Sequence, residues 1–300
     1  MNENEILHEK EHLTNVLFEI DKQTTKVEKQ INDLEKEMEE LKHHFSEEYY
    51  NMDDEEAVCG GDELDEQETV IFATKNSLYR LKKQRLSPYF GKIDFCENGY
   101  TNAVPYYIGI FSLTDGGEYP VVCDWRAPIS SMYYDYEVGS AKYTAPVGII
   151  EGEIKNKRQF KIKNSKMEYV FDSNLTVSDD ILQQELSNNS SMQMKNIVST
   201  IQKEQNKIIR NEDESVLFVQ GVAGSGKTSV ALHRAAYLLY AHKDTISSDD
   251  ILILSPNNIF SEYISQVLPE LGEENIMQTS FYQIAKQELN TLTPTLETRE

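Results

Sequence analysis

No apolar run in the chain approaches the roughly eighteen residues that a helix needs to cross a bilayer, which excludes a helical membrane span. The start, Met1-Asn2-Glu3-Asn4-Glu5, lacks the basic and then apolar order of a signal peptide, so the expected location is the cytoplasm. Cysteine is scarce: Cys59, Cys96 and Cys123 are odd in number and far apart, which fits reduced thiols better than a disulfide framework or a zinc site. The 6 histidines are scattered without ligand spacing. Positive charge is also short, with 29 Lys and Arg against 51 Asp and Glu and a net charge of −22. A protein whose main task is gripping duplex DNA needs a basic footprint to displace counterions, and this composition speaks against that task. The deficit is greatest at the start: residues 1–86 carry 11 basic against 23 acidic side chains, whereas 87–190 and 191–300 each carry 9 against 14. Such a segment suits a basic surface or channel on another macromolecule.

What is present begins with a heptad rhythm. Leu13, Leu17, Ile20, Thr24, Val27, Ile31, Leu34, Met38, Leu41 and Phe45 alternate spacings of four and three, and Ile71, Thr74, Leu78, Leu81 and Arg85 repeat the pattern on a shorter segment. The two segments are expected to fold back as an antiparallel coiled-coil hairpin over residues 1–86. The first helix, at about 5–50, would be roughly 70 Å long and the second, at about 67–86, roughly 30 Å. The early return fills the seam within the chain, which weighs against a dimeric coiled coil. Between Lys42 and Lys75 lie eleven acids and no Lys or Arg, with Asp53, Asp54, Glu55 and Glu56 at their centre. This tip, at about 47–68, reads either as a solvated loop or as carboxylates presented to a basic channel or a bound Mg²⁺.

Residues 87–190 read as a small β-rich globular domain with a linker. Residues 105–111 and 119–125 flank the turn Thr114-Asp115-Gly116-Gly117 as a hairpin, and 129–136, 148–154, 158–163 and 168–171 are further candidate strands. A helix and linker are expected over 178–191. In Asp124-Trp125-Arg126-Ala127-Pro128 the only tryptophan is most simply a core anchor beside a proline turn.

The densest chemistry lies further on. An apolar run at 216–220 precedes Gly221-Val222-Ala223-Gly224-Ser225-Gly226-Lys227-Thr228, and a helical apolar face from Lys227 to Ala241 follows. The loop fits G-x-x-x-x-G-K-[ST], whose glycines let backbone N–H groups surround phosphates. Lys227 would reach the β and γ phosphates, Thr228 would hold Mg²⁺ through its hydroxyl, and Ser229 completes the candidate cofactor-binding set. The expected cofactors are ATP and Mg²⁺. About twenty residues upstream, Ile201-Gln202-Lys203-Glu204-Gln205 sits on a predicted helix. Residues 251–254 read as a buried parallel strand ending in Ser255-Pro256-Asn257-Asn258, followed by a helix to about residue 268.

These motifs resemble the superfamily 1 helicase-like ATPases of UvrD/Rep type. The resemblance implies that Gln205 reads the adenine edge as a Q motif. It also implies that Ser255, Pro256, Asn257 and Phe281 fall in loops that touch single-stranded nucleic acid in true helicases. Ser-Pro-Asn-Asn is equally an ordinary turn and helix cap, and both readings stand. Together with the acidic-tipped hairpin, Tyr89-Phe90-Gly91 and Asp124-Trp125-Arg126-Ala127-Pro128, the order of parts resembles the HelD family. That resemblance implies a monomeric, ATP-dependent factor whose partner is core RNA polymerase of bacteria. The arm would enter the secondary channel, and the ATPase portion would help release nucleic acids and recycle the enzyme.

The resulting fold class is multi-domain α+β and α/β: hairpin, small β-rich domain, and over 191–300 the N-terminal part of a RecA-like P-loop domain. The residues up to Glu300 contain neither an apolar strand ending in an Asp-Glu pair nor a second RecA-like domain. The chain as written is therefore expected to be inactive as an ATPase alone and to be a piece of a longer protein. Two other functions fit parts of the sequence: a Gre-like secondary-channel factor acting through tip carboxylates, and a DNA-unwinding superfamily 1 helicase.

Overall fold

The computed structural model describes residues 3–48, 54–117, 120–172, 201–222, 224–256, 264–265, 268, 271 and 276–292. The architecture mixes helices and sheet. Helices α1 (Glu3–Glu48) and α2 (Asp54–Leu86) come first. Strands β1 (Gly91–Glu97), β2 (Val104–Gly109), β3 (Cys123–Asp124), helix α3 (Ser131–Asp135), β4 (Gly139–Ala145), β5 (Gly148–Lys163) and β6 (Lys166–Asp172) follow. Helices α4 (Lys203–Ile209) and α5 (Lys227–Ala241), strands β7 (Leu252–Leu254) and β8 (Met277–Thr279), and helix α6 (Phe281–Leu292) complete the order. The sheet runs β3-β2-β1-β5-β4, with β6 pairing β5, while β7 and β8 form a separate parallel pair. None of the described helices is long and apolar enough to cross a membrane.

By internal contacts the chain divides into two units. The first comprises Met1–Lys92, Tyr106–Cys123 and Arg158–Asp172; the second comprises Ile93–Pro105, Asp124–Lys157 and Ser173–Glu300.

In the first unit, ion pairs Asp21–Arg85, Glu28–Lys82, Glu35–Lys75 and Lys42–Glu68 climb α1 while descending α2, so the two helices run antiparallel. All ten heptad positions of α1 are buried or half-buried. The pairs lie in solvent, where they set register more than stability. At the base, Leu13, Val16 and Ile20 pack with Leu81, Tyr89, Tyr107, Leu113, Val122, Phe160 and Ile162. Tyr89 is the hub of this core: its ring meets those of Tyr107 at 5.0 Å and Phe160 at 5.1 Å. Each such fully buried side chain is worth about 1.5–3 kcal/mol of transfer free energy.

Beside this core sits a buried acid, Glu9, at 0% exposure. Its Oε1 accepts from Lys92 Nζ at 2.9 Å and Arg158 Nη1 at 2.8 Å, and its Oε2 accepts from Tyr107 OH at 2.8 Å. Burial alone would raise its pKa, but these donors outweigh it and hold the carboxyl below the usual range. His12 stacks on Tyr107 with ring centroids 3.6 Å apart, and burial pushes its imidazole down to about 4.

Several elements differ from expectation for identifiable reasons. Helix α2 starts at Asp54 instead of about residue 67, so much of the acidic stretch is helical. The helix continues through Gly60, where the ring of Phe45 packs so closely that a Cβ would stand 2.4 Å from Phe45 Cε2. Asp54, Glu55 and Glu56 form its first turn, while Asp53 lies outside the described residues. Residues 129–136, expected as a strand, are helical: Pro128 opens a 3₁₀ turn that leads into α3. Met132, Tyr133 and Tyr134 are buried consecutively, which a two-residue alternation would not allow. The strands expected at 148–154 and 158–163 are one, β5, whose Lys157 turns its ammonium to Tyr136 O at 2.9 Å. The expected linker at 178–191 lies outside the described residues, as does most of the helix expected up to 268.

Candidate functional site

The second unit carries the glycine loop. Helix α5 starts at Lys227, with Gly226 as its N-cap in the left-handed region at φ 82°. Gly224 takes the same region at φ 81°. Side chains other than glycine adopt that backbone at a cost, so the loop's shape follows from its composition. At Gly221 a Cβ would stand 2.6 Å from Ser225 Oγ. Ser225 N donates to Val222 O at 3.3 Å and closes the turn. Lys227 Nζ donates to Gly221 O at 2.9 Å and Val222 O at 2.7 Å, so the ammonium is laid across the loop it follows. Thr228 is half-buried in the first turn of α5. Ser229 is buried, with its hydroxyl 3.3 Å from His233 Nδ1, and so serves the helix rather than the loop's open side. Ala223 lies outside the described residues.

Gln205 is brought to the same place. It is the third residue of α4, where its Oε1 accepts from Gln202 N at 3.1 Å in a capping box. A Cβ built on Gly226 would lie 3.4 Å from Gln205 Nε2, so this amide and the loop's last glycine are neighbours. The glutamine, glycines and lysine picked out from the sequence thus converge. The 216–220 run before the loop does not form its expected strand: no described strand pairs with it, and Val216 and Phe218 are 65% and 92% exposed.

Ser255 and Phe281 follow the carboxyl ends of the parallel pair β7 and β8. Ser255 is buried and its N–H donates to Thr279 O at 2.9 Å, while Phe281 is 78% exposed. Pro256 is exposed, and Asn257 lies outside the described residues.

Sequence reasoning missed the support beneath the loop. Arg210, which ends α4, donates to three successive carbonyls, Trp125 O at 2.6 Å, Arg126 O at 2.8 Å and Ala127 O at 3.4 Å. Arg126 forms a two-pronged pair with Asp124 at 2.8 and 2.7 Å, and its guanidinium lies 4.7 Å from the ring of Tyr240 on α5. Trp125, fully buried, meets His233 of α5 edge-on at 5.6 Å. His233 Nδ1 lies 2.7 Å from Ser229 O, which requires its proton there, and burial holds its pKa below the ordinary value. Arg234 Nη1 donates to Ile208 O at 3.0 Å and to Asn211 O, occupying carbonyls at the end of α4. The run Asp124-Trp125-Arg126-Ala127-Pro128 was the available signal.

Residues 6–190 match the family model of the DNA helicase IV HelD N-terminal domain. The chain belongs to the HelD family. Residues 201–296 match the UvrD/REP helicase N-terminal domain, so the glycine loop of this HelD-family chain lies in a domain of superfamily 1 helicase type. No curated protein matches the chain.

Proposed function

We propose that the chain binds ATP with Mg²⁺ at the glycine loop and serves an ATP-dependent factor that acts on RNA polymerase of bacteria. The observation that carries the nucleotide half is the convergence of three groups: two left-handed glycines, the Lys227 ammonium over the loop, and the Gln205 amide beside Gly226. These residues fit a nucleoside triphosphate. The glycines leave backbone open to phosphate, and the first turn of the 15-residue α5 favours negative charge at its N-terminus. Lys227 would exchange its two carbonyl partners for phosphate oxygens, and Thr228 would offer its hydroxyl to Mg²⁺. Gln205 has one donor pair and one acceptor, the complement of the adenine edge. A bound nucleotide would supply the phosphoryl group, and these residues would orient it.

The targeting half rests on α1 and α2. In this reading they are a coiled-coil arm whose acidic end, Asp53 through Glu56, would enter a cationic cavity such as the polymerase secondary channel. Nucleotide-driven change in the second unit would then help release nucleic acids and recycle the polymerase. Membership of the HelD family and the antiparallel ion-pair ladder support this reading.

One experiment tests both halves. In the full-length protein, Lys227→Ala should abolish ATP turnover while core polymerase is still retained in a pull-down. Unchanged turnover removes the nucleotide site, and failure of the wild-type protein to retain polymerase removes the targeting half.

A further inference from the structure

Helix α4 spans 7 residues, with Gln205 in its first turn and Arg210 as its C-cap. Two turns of helix have little stability of their own. Where Gln205 sits therefore depends on what holds the other end, where Arg234 takes carbonyls of the helix end itself and Arg210 ties that end to residues 125–127. Its fork takes the carbonyls of Trp125, Arg126 and Ala127, and its Nε donates to Asn206 Oδ1 at 3.0 Å. Asn206, 1% exposed, in turn donates from Nδ2 to Asp135 Oδ1 at 2.9 Å. The gripped turn is stiff in itself, because Asp124 accepts from Arg126 through both carboxylate oxygens and Ser130 Oγ donates to Asp124 O at 2.6 Å. The same turn also meets α5, through Trp125 on His233 and Arg126 on Tyr240. Residues 124–135 thus hold the helix bearing Gln205 and the helix led by Gly226, the two residues whose neighbourhood defines the candidate purine site.

We propose that Arg210 is a positioning residue for purine selection: by gripping the carbonyls of Trp125, Arg126 and Ala127 it keeps the Gln205 amide at the phosphate loop, where it distinguishes adenine from guanine. This rests on the nucleotide reading above and extends it to a guanidinium that is not part of the loop. Arginine suits the task because its planar fork can serve several carbonyls at fixed angles, whereas lysine offers a single point charge. The groups that would hold the phosphates, the loop and the first turn of α5, make no hydrogen bond to Arg210, so loss of the grip should change which base is preferred rather than whether a triphosphate binds.

The test is equilibrium titration of the full-length protein with fluorescently labelled ATP and GTP in the presence of Mg²⁺. The wild-type protein should prefer ATP. Arg210→Ala should weaken ATP about tenfold, the worth of one or two hydrogen bonds, and leave GTP within about twofold. Arg210→Lys should give an intermediate ratio. Gln205→Glu keeps an acceptor for the capping box but removes the amide donor, so in that background Arg210→Ala should not change the ratio further. If Arg210→Ala fails to fold by far-UV circular dichroism, Arg210→Lys decides, and a wild-type ratio in it overturns the proposal. Equal loss of ATP and GTP, or full additivity with Gln205→Glu, also overturns it by reducing Arg210 to a structural prop. A wild-type protein that binds both nucleotides alike, or neither, removes the underlying reading of Gln205 instead.

Discussion

In the first unit a buried acid gathers cations; in the second a guanidinium gathers neutral carbonyls. Glu9 has Lys92, Arg158 and Tyr107 around one carboxylate, all closely packed. Arg210 has three backbone oxygens and the side chain of Asn206. The two arrangements fail differently. Removing Glu9 takes a charged acceptor from two buried cations at once, which is costly whatever the surrounding backbone does. Removing Arg210 leaves dipoles without a donor, a smaller loss, but the atoms released are the backbone that sets the place of a helix. The first arrangement suits an anchor, holding α1 on the tyrosine core. The second suits an adjustment, and it stands where placement matters.

The sharpest way to break this contrast is Glu9→Ala. The substitution removes the carboxylate that Lys92 Nζ meets at 2.9 Å, while Arg158 retains Asp172 at 2.7 Å. The expected loss of stability is about 3–5 kcal/mol, read as a lower urea midpoint by far-UV circular dichroism. The double replacement Glu9→Leu with Lys92→Met, which removes both charges, should recover most of that. A loss under about 1 kcal/mol for Glu9→Ala would mean that the acid is not the anchor.

The same core should be sensitive to acid in two stages. His12 has a folded pKa of about 4 against an ordinary value of 6.5, chiefly through burial, with Lys92 and His8 adding to the shift and Glu9 opposing it. Because the folded value is depressed, the unfolded chain binds the proton first. The contribution is complete above pH 6.5 and is lost as pH falls toward 4, at no more than about 1.4 kcal/mol per pH unit. Glu9, also depressed, contributes above the ordinary carboxyl range and is lost below it. His12→Phe should flatten the decline in urea midpoint between pH 6.5 and 4 and leave the second stage in place. An unchanged slope would assign the first stage to other groups.

Neither polar centre was legible in the sequence, and the reason is distance along the chain. Glu9 meets partners 83, 98 and 149 residues away, and Arg210 meets carbonyls 83 to 85 residues away. A Glu in an acidic helix and an Arg after a short one look like solvated charges. Local signals fared better. Helix α5 was legible because a glycine loop and an apolar period meet at Lys227, and Trp125 was legible as a core residue because a lone tryptophan beside a proline turn has few other uses. Residues 129–136 are rich in tyrosine, a strand former, but Pro128 and tertiary packing on three consecutive side chains favour helix. Nor could the sequence show that the ring of Phe45, on the other helix, packs where a Cβ at Gly60 would stand.

Arg85 provides the finest comparison, because it is the same side chain as Arg210 in a wetter place. Its Nε and Nη2 reach both oxygens of Asp21 at 2.6 and 3.1 Å, and its Nη1 donates to Ser165 Oγ at 3.0 Å. The geometry is as good as any around Arg210, yet both members of the ion pair are over 40% exposed. Water and salt therefore compete for every contact, and the pair's worth should not exceed about 1 kcal/mol. Arg85→Ala should lower the urea midpoint by that little in dilute buffer. In about 1 M salt, where the screening length shrinks to roughly 3 Å, most of the difference should vanish. A larger loss that persists in salt would show that the side chain acts through Ser165, whose hydroxyl also donates to the Arg85 carbonyl at 2.9 Å, and not through its charge. Arg85 would then resemble Arg210 in holding neutral groups, and burial would no longer be what separates the two.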